Sequence, residues 1–256
     1  MDSLISSQPE NEFQYAVAPI IDAIIELRFQ DELSDNDRER ASKKFAQRYP
    51  IVDEVVQQRI EVEVNPERIA TNLVILERMS KRTHTDLPHI IQIGGHILSV
   101  ATGAPYEGWS NLFDRFVSDW AVAKKLWGYR TIQRIGVRFI NRIDLAPNED
   151  GTVDYEHYLN LRINLPEDFP PTLGYSLMFR TNLEEIKCGV IVRSEVAPPA
   201  VPGRQSFTLD LDVSRDIDLP QKEVAVFELL EEMRKAKNAL FETFITDKAR
   251  ELFNAR

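Results

Sequence analysis

Arginine recurs at every fourth residue of one strand-like run, as Arg134, Arg138 and Arg142 within Ile132–Leu145. No other pattern in this sequence has clearer chemistry. On an extended strand these three share a face with Gly136 and Ile140, while Ile135, Val137, Phe139, Asn141 and Ile143 take the other face. Successive guanidiniums then stand about 13 Å apart. Planar guanidinium forks bind phosphate and carboxylate through paired N–H groups, so the row can track a polyanion or grip acidic side chains. A second strand-like run, Ile20–Phe29, carries Asp22 and Glu26, and its word Glu26-Leu27-Arg28-Phe29 resembles Gly136-Val137-Arg138-Phe139. Two readings follow. Either Arg134, Arg138 and Arg142, with Glu26 and Arg28, form a binding row, or the arginines pair across strands with the acids of the first run. The acids at matching positions and the acidic balance of the chain favour the second.

The remaining reactive residues make weaker patterns. His84, His89 and His96 with Asp86 straddle a turn and lack the i,i+4 pair of a helical metal site, so a hairpin is expected there and no metal. Cys188 lies between Ile186 and Val190 in an alternating run and reads as a buried small hydrophobe; as the single cysteine it excludes an intrachain disulfide. Asn141, among apolar neighbours, reads as a satisfied buried amide. Asp210 and Asp212 share a strand face, where they either hold a cation or protect an edge strand with charge. Gly94-Gly95 and Gly103 have no Gly-Lys-Ser/Thr after them and form no phosphate loop. No nucleophile–base pair is marked, so no catalytic residue and no cofactor is expected.

The chain has 256 residues and a formal net charge of −10, with 43% apolar and 28% charged residues. These values describe a soluble globular protein with a sizeable core. Acidic excess is present in both halves, which argues against non-specific binding to nucleic acid or to an anionic membrane. The first residues lack a signal-peptide pattern and no run of about eighteen apolar residues occurs, so a cytoplasmic location is expected.

Elements that must position the row follow from periodicity. Ile20–Phe29 alternates as a half-buried strand, and Ser34 opens a short helix that stops at Tyr49-Pro50. Strands are expected at Val55–Val64, Thr71–Met79 and Ile90–Val100, the last with a bulge or tight turn at Gly94-Gly95. Trp109, Phe113, Phe116 and Trp120 mark a helix that Gly128 caps, and this stripe reads as core. The second half replays the order: the arginine strand, a short helix over Asp154–Leu161, strands at Leu173–Thr181, Ile186–Val196 and Phe207–Val213, and a long helical stretch from Val224 to Phe253, re-capped at Thr246-Asp247. Within it Arg234, Lys235 and Lys237 read as a solvated basic side following Glu228, Glu231 and Glu232. The expected fold is therefore α+β, a duplicated β-α-β-β-β-α unit with mainly antiparallel sheet, helices on one face and a long C-terminal helix. Its parts are a tail over 1–14, one repeat over 15–128 and another over 129–256, packed as one body.

The segments Ala18-Pro19-Ile20-Ile21-Asp22-Ala23-Ile24-Ile25-Glu26-Leu27-Arg28-Phe29, Arg134-Ile135-Gly136-Val137-Arg138-Phe139-Ile140-Asn141-Arg142-Ile143 and Phe244-Ile245-Thr246-Asp247-Lys248-Ala249-Arg250-Glu251-Leu252-Phe253 are together similar to a sporadically distributed family of bacterial and archaeal proteins of about this length. The resemblance implies a prokaryotic cytoplasmic protein, and patchy distribution implies genes of mobile elements or host defence. It brings no activity and no catalytic residue. The residues themselves point to a binding or scaffold protein without catalysis, acting through a protein partner or self-association. Nucleic acid is disfavoured by the charge, and no membrane is expected. The alternative is an enzyme or nucleotide sensor with an anion pocket at the repeat seam, held by Arg138 or Arg142.

Overall fold

The computed structural model describes residues 15–65, 68–149, 153–166, 168–170 and 174–254. The expected tail over 1–14 lies outside these residues, as do Pro66, Gly151 and Leu173. In chain order the elements are β1 (Ile20–Phe29), α1 (Asp35–Phe45), β2 (Ile51–Asn65), β3 (Arg68–Thr83), β4 (His89–Ile93), β5 (Ile97–Gly103), α2 (Trp109–Trp127), β6 (Ile132–Leu145), β7 (Ser176–Leu183), β8 (Cys188–Ala197), β9 (Gln205–Arg215), α3 (Glu223–Phe244) and α4 (Asp247–Asn254). The fold is α+β, with nine strands in the antiparallel order β2-β3-β4-β5-β1-β6-β9-β8-β7. Two compact units divide the chain: Ile24–Gly103 with Glu107–Ile135, and the residues up to Ala23 with Ala104–Tyr106 and Gly136 onward. Strands β1 and β6 each contribute to both units.

In the first unit the apolar face of β1, through Ile25, Leu27 and Phe29, is fully buried. The helix α2 presents Leu112, Phe116, Trp120 and Ala123 at helical spacing to this core, and Trp120 stacks on Phe29 with centroids 5.8 Å apart. Ser34 caps α1 by accepting the Asp37 N–H at 3.1 Å, as expected from its place before an acidic first turn. Gly128 closes α2 with φ +72°, where a side chain would be strained. The expected single strand at Ile90–Val100 is two strands, because Gly94-Gly95 forms a tight turn and Gly94 N–H donates to Ile97 C=O at 2.9 Å. A polar network on the buried Asp119 ties the segment that follows α1 to α2. Arg48 and the Tyr49 hydroxyl both donate to Asp119, each at 2.5 Å, and burial holds that carboxyl above its usual range.

The second unit is built on β6, β9, β8 and β7. The inward faces of β6, β8 and β9 carry Val137, Phe139, Val190, Val192, Leu209 and Leu211, all buried, and α3, which packs on β9, buries Val226, Leu230, Met233 and Phe241. A 3-10 turn at Tyr155–His157 stands where a short helix is expected. The terminal helical stretch breaks at Ile245, whose backbone is extended, and resumes as α4, consistent with the Thr246-Asp247 re-cap. The order from β1 outward is β5, β4, β3, β2; the order from β6 outward is β9, β8, β7.

Two expectations on charge are corrected. Arg234 and Lys237 are only 8% and 4% exposed. Leu230, Met233, Arg234, Lys237 and Phe241 fall at i, i+3, i+4, i+7 and i+11, which is one helix stripe, and that stripe faces the sheet. Strand β9 is interior to the sheet, so Asp210 and Asp212 do not guard an edge.

Candidate functional site

On β6 the side chains alternate as the sequence indicates: Ile135, Val137, Phe139, Asn141 and Ile143 are buried, and the three arginines stand half-buried on the opposite face. Each arginine meets an acid. Arg134 donates to Glu26 of β1, and Arg28 donates to the same carboxylate at 2.8 Å, so Glu26 is held between two guanidiniums. Arg142 donates to Asp144 two residues along its own strand at 3.3 Å. Arg138 makes a bidentate fork on Asp210 of β9, at 2.8 and 2.7 Å, and Arg193 of β8 adds a third bond at 3.2 Å. Asp210 is 5% exposed, and this fork is the main reason the Arg138 guanidinium is held above its ordinary pKa. Asp210 and Arg193 are partners that sequence reasoning missed, although both lie on alternating strands.

The other sequence candidates are dispersed. His84 Nδ1 accepts the N–H groups of Asp86 and Leu87, at 3.0 and 3.1 Å. His89 Nε2 meets Glu107 at 2.8 Å, and His96 Nδ1 approaches Phe29 C=O at 3.3 Å. Among the described residues no group of three His, Cys, Asp or Glu is placed to hold a metal ion. Cys188 is buried and its thiol is pushed up to about 12, chiefly by burial. Asn141 donates to Leu209 C=O at 2.9 Å.

Lys237 of α3 is a charged side chain buried to 4% exposure. Its ammonium sits 3.7 Å from the centroid of the Phe139 ring, and Tyr106 meets the same ring edge-on at 5.7 Å. No hydrogen bond or ion pair reaches Lys237 among the described residues. Burial, and then the neighbouring Arg234, lower its pKa to about 7.

A strand is expected at Leu173–Thr181, and β7 stands there over Ser176–Leu183, with most of its side chains exposed. It ends the sheet order, and among the described residues it pairs with β8 alone. Val196 N–H donates to Tyr175 C=O at 3.0 Å, so in this register the odd-numbered residues of β7 bond to β8. Ser176, Met178, Arg180 and Asn182 therefore aim their N–H and C=O groups away from the sheet. Both faces are open too: Met178 is 53% exposed on the arginine face and Phe179 44% on the helix face. Helix α3 covers β9 and the 3-10 turn at Glu184–Ile186, and Phe179 stands beside the buried Val192.

No protein-family model and no curated protein sequence matches the chain. Twelve chains of solved structures match. One is DynU16, from the dynemicin biosynthetic locus, at 14% identity over 86% of this chain and 97% of that chain, with a TM-score of 0.20. A likeness at that TM-score supports no statement on fold or function. No helix is long and apolar enough to cross a membrane among the described residues.

Proposed function

We propose that this is a non-catalytic binding protein that acts through a protein partner, and that the partner adds an extended strand to the edge of β7. The observation that carries this reading is the edge itself. Within Ser176–Leu183, the residues Ser176, Met178, Arg180 and Asn182 present a row of backbone donors and acceptors with no partner strand among the described residues, and two large apolar side chains are exposed beside it. Native edges are normally blunted by proline, lysine, a bulge or a cover, since a bare edge is a template for another chain. This strand has no proline or lysine, and its one charge is Arg180. The anion-pocket alternative needs Arg138 or Arg142 to hold a ligand, and both guanidiniums are engaged by acids of their own unit.

The same reading takes the two units as copies of one plan. Their strand orders support it, as do the two matching words. Phe29 and Phe139 both point inward, and each ring is covered by a residue of the following long helix, Trp120 in one unit and Lys237 in the other. A photo-reactive phenylalanine analogue at Met178, compared with one at Glu228 of α3, tests the binding proposal. Discrete adducts are expected from position 178 in its native host. They should vanish when Arg180→Pro removes one outward N–H without touching the ladder to β8. Equal adducts from both positions, or adducts indifferent to the proline, overturn it.

A further inference from the structure

We infer that the strand completing the β7 edge belongs to a second copy of this chain, paired antiparallel about a twofold axis at Phe179. The inference rests on the edge-binding reading above and names its occupant. Only registers that place even-numbered residues opposite even-numbered ones let the outward N–H and C=O groups meet. A register centred on Arg180 would set two arginines directly opposite one another, which is unfavourable. One centred on Met178 runs the strand end into residues before β7. The register centred on Phe179 opposes Met178 to Arg180, Ser176 to Asn182 and Leu177 to Thr181, with Tyr175 facing Leu183 at the ends. It sets no like charges directly opposite one another, leaves the two Arg180 side chains as diagonal neighbours, and uses the whole strand.

Phe179 would meet its own mate as a non-hydrogen-bonded pair, the arrangement in which side chains come closest. Each ring is 44% exposed in the single chain, on a face where its neighbour in register, Val192, is already buried. Pairing extends that apolar layer from one copy to the next. On the other face Met178 lies in line with Arg193 and Asp210, so the second copy's Arg180 packs its stem on Met178 and keeps its head in water. A chain with a net charge of −10 repels its own copy, and this edge, whose single charge is positive, is a place where that repulsion is least.

The test uses the full chain with Cys188→Ala to remove its only thiol. Phe179→Cys in that background should oxidise to a disulfide-linked dimer, because a non-hydrogen-bonded antiparallel pair has the Cα separation a disulfide needs. Thr181→Cys, displaced from its mate by four residues, should not. Sedimentation equilibrium should show a dimer that Phe179→Lys weakens about 30-fold, through the lost aromatic pair and two lysines brought face to face. A monomer at every concentration, while the Met178 photo-probe still captures a different protein, overturns the second copy and leaves the edge reading intact. A dimer indifferent to Phe179→Lys, or one that cross-links equally through Thr181→Cys, also overturns it. A monomer whose Met178 probe captures nothing removes both.

Discussion

Replacing Lys237 by methionine should make the protein more stable at neutral pH, and the gain should disappear as the pH is raised. The side chain is 4% exposed, and its pKa falls from the ordinary 10.5 to about 7. Arg234 opposes the charged form and Glu242 favours it, but burial is the largest cause. A depression of that size corresponds to ~5 kcal/mol of cost for holding the ammonium in place. The Phe139 face, 3.7 Å away, favours the ammonium, so the pKa of about 7 stands in spite of it. The penalty at pH 7 is therefore about 4 kcal/mol. Because the folded pKa lies below the unfolded one, the unfolded chain binds a proton between pH 7 and 10.5 that the folded chain does not. Stability contributed at this site rises with pH across that window, and the penalty is complete below about 7. Lys237→Met keeps the apolar stem and removes the titration. Urea unfolding at pH 7 should show the variant ahead by about 4 kcal/mol, and at pH 10 by only about 1 kcal/mol. A variant less stable than the parent at pH 7, or a difference that does not change with pH, refutes the argument and points to an unpaired amine that the fold requires.

Other perturbations separate buried from exposed charge. Asp210→Ala should cost about 3 kcal/mol by thermal or chemical unfolding, since it leaves Arg138 and Arg193 facing each other without their shared acid, whereas Arg193→Ala should cost under about 1 kcal/mol. Tyr49→Phe removes a donor from the buried Asp119 carboxylate, and a loss of about 1–2 kcal/mol is expected from urea midpoints. Ser34→Ala should lose about 1 kcal/mol through the α1 cap, measurable in the same way. Cys188, buried and with its thiol pushed up to about 12, should resist iodoacetamide at pH 8 in the folded protein and react fully in denaturant.

Periodicity made the strands and helices legible where one face is buried. Ile25, Leu27 and Phe29 on β1 and the alternation from Ile135 to Ile143 on β6 state their inward faces without help from any partner. Ser34 and Gly128 mark helix ends because capping is a local hydrogen-bonding problem. The partners of the arginines were legible only in part. Arg134 and Glu26 lie on strands whose sequences resemble one another, which suggested the pairing, but Asp210 and Arg193 become neighbours of Arg138 only through the order β6-β9-β8, and strand order leaves no mark on composition. Lys237 departs from its expected solvated place because it shares the helical stripe of Leu230, Met233, Arg234 and Phe241, and position on that stripe outweighs charge.

The edge β7 was the least legible element because an edge differs from an interior strand by what is missing beside it. Ser176-Leu177-Met178-Phe179-Arg180-Thr181-Asn182-Leu183 alternates no better than its neighbours, and its apolar residues would suit a covered strand equally well. Only the register with β8 separates the residues that bond inward from those that do not. The arginine row, with the strongest pattern in the sequence, is engaged by ion pairs inside each unit, while β7 carries outward backbone groups that have no partner strand among the described residues, and an exposed phenylalanine beside them. Backbone N–H and C=O groups along a sheet edge are a demand that an added strand can meet, and the binding proposal rests on that property of β7.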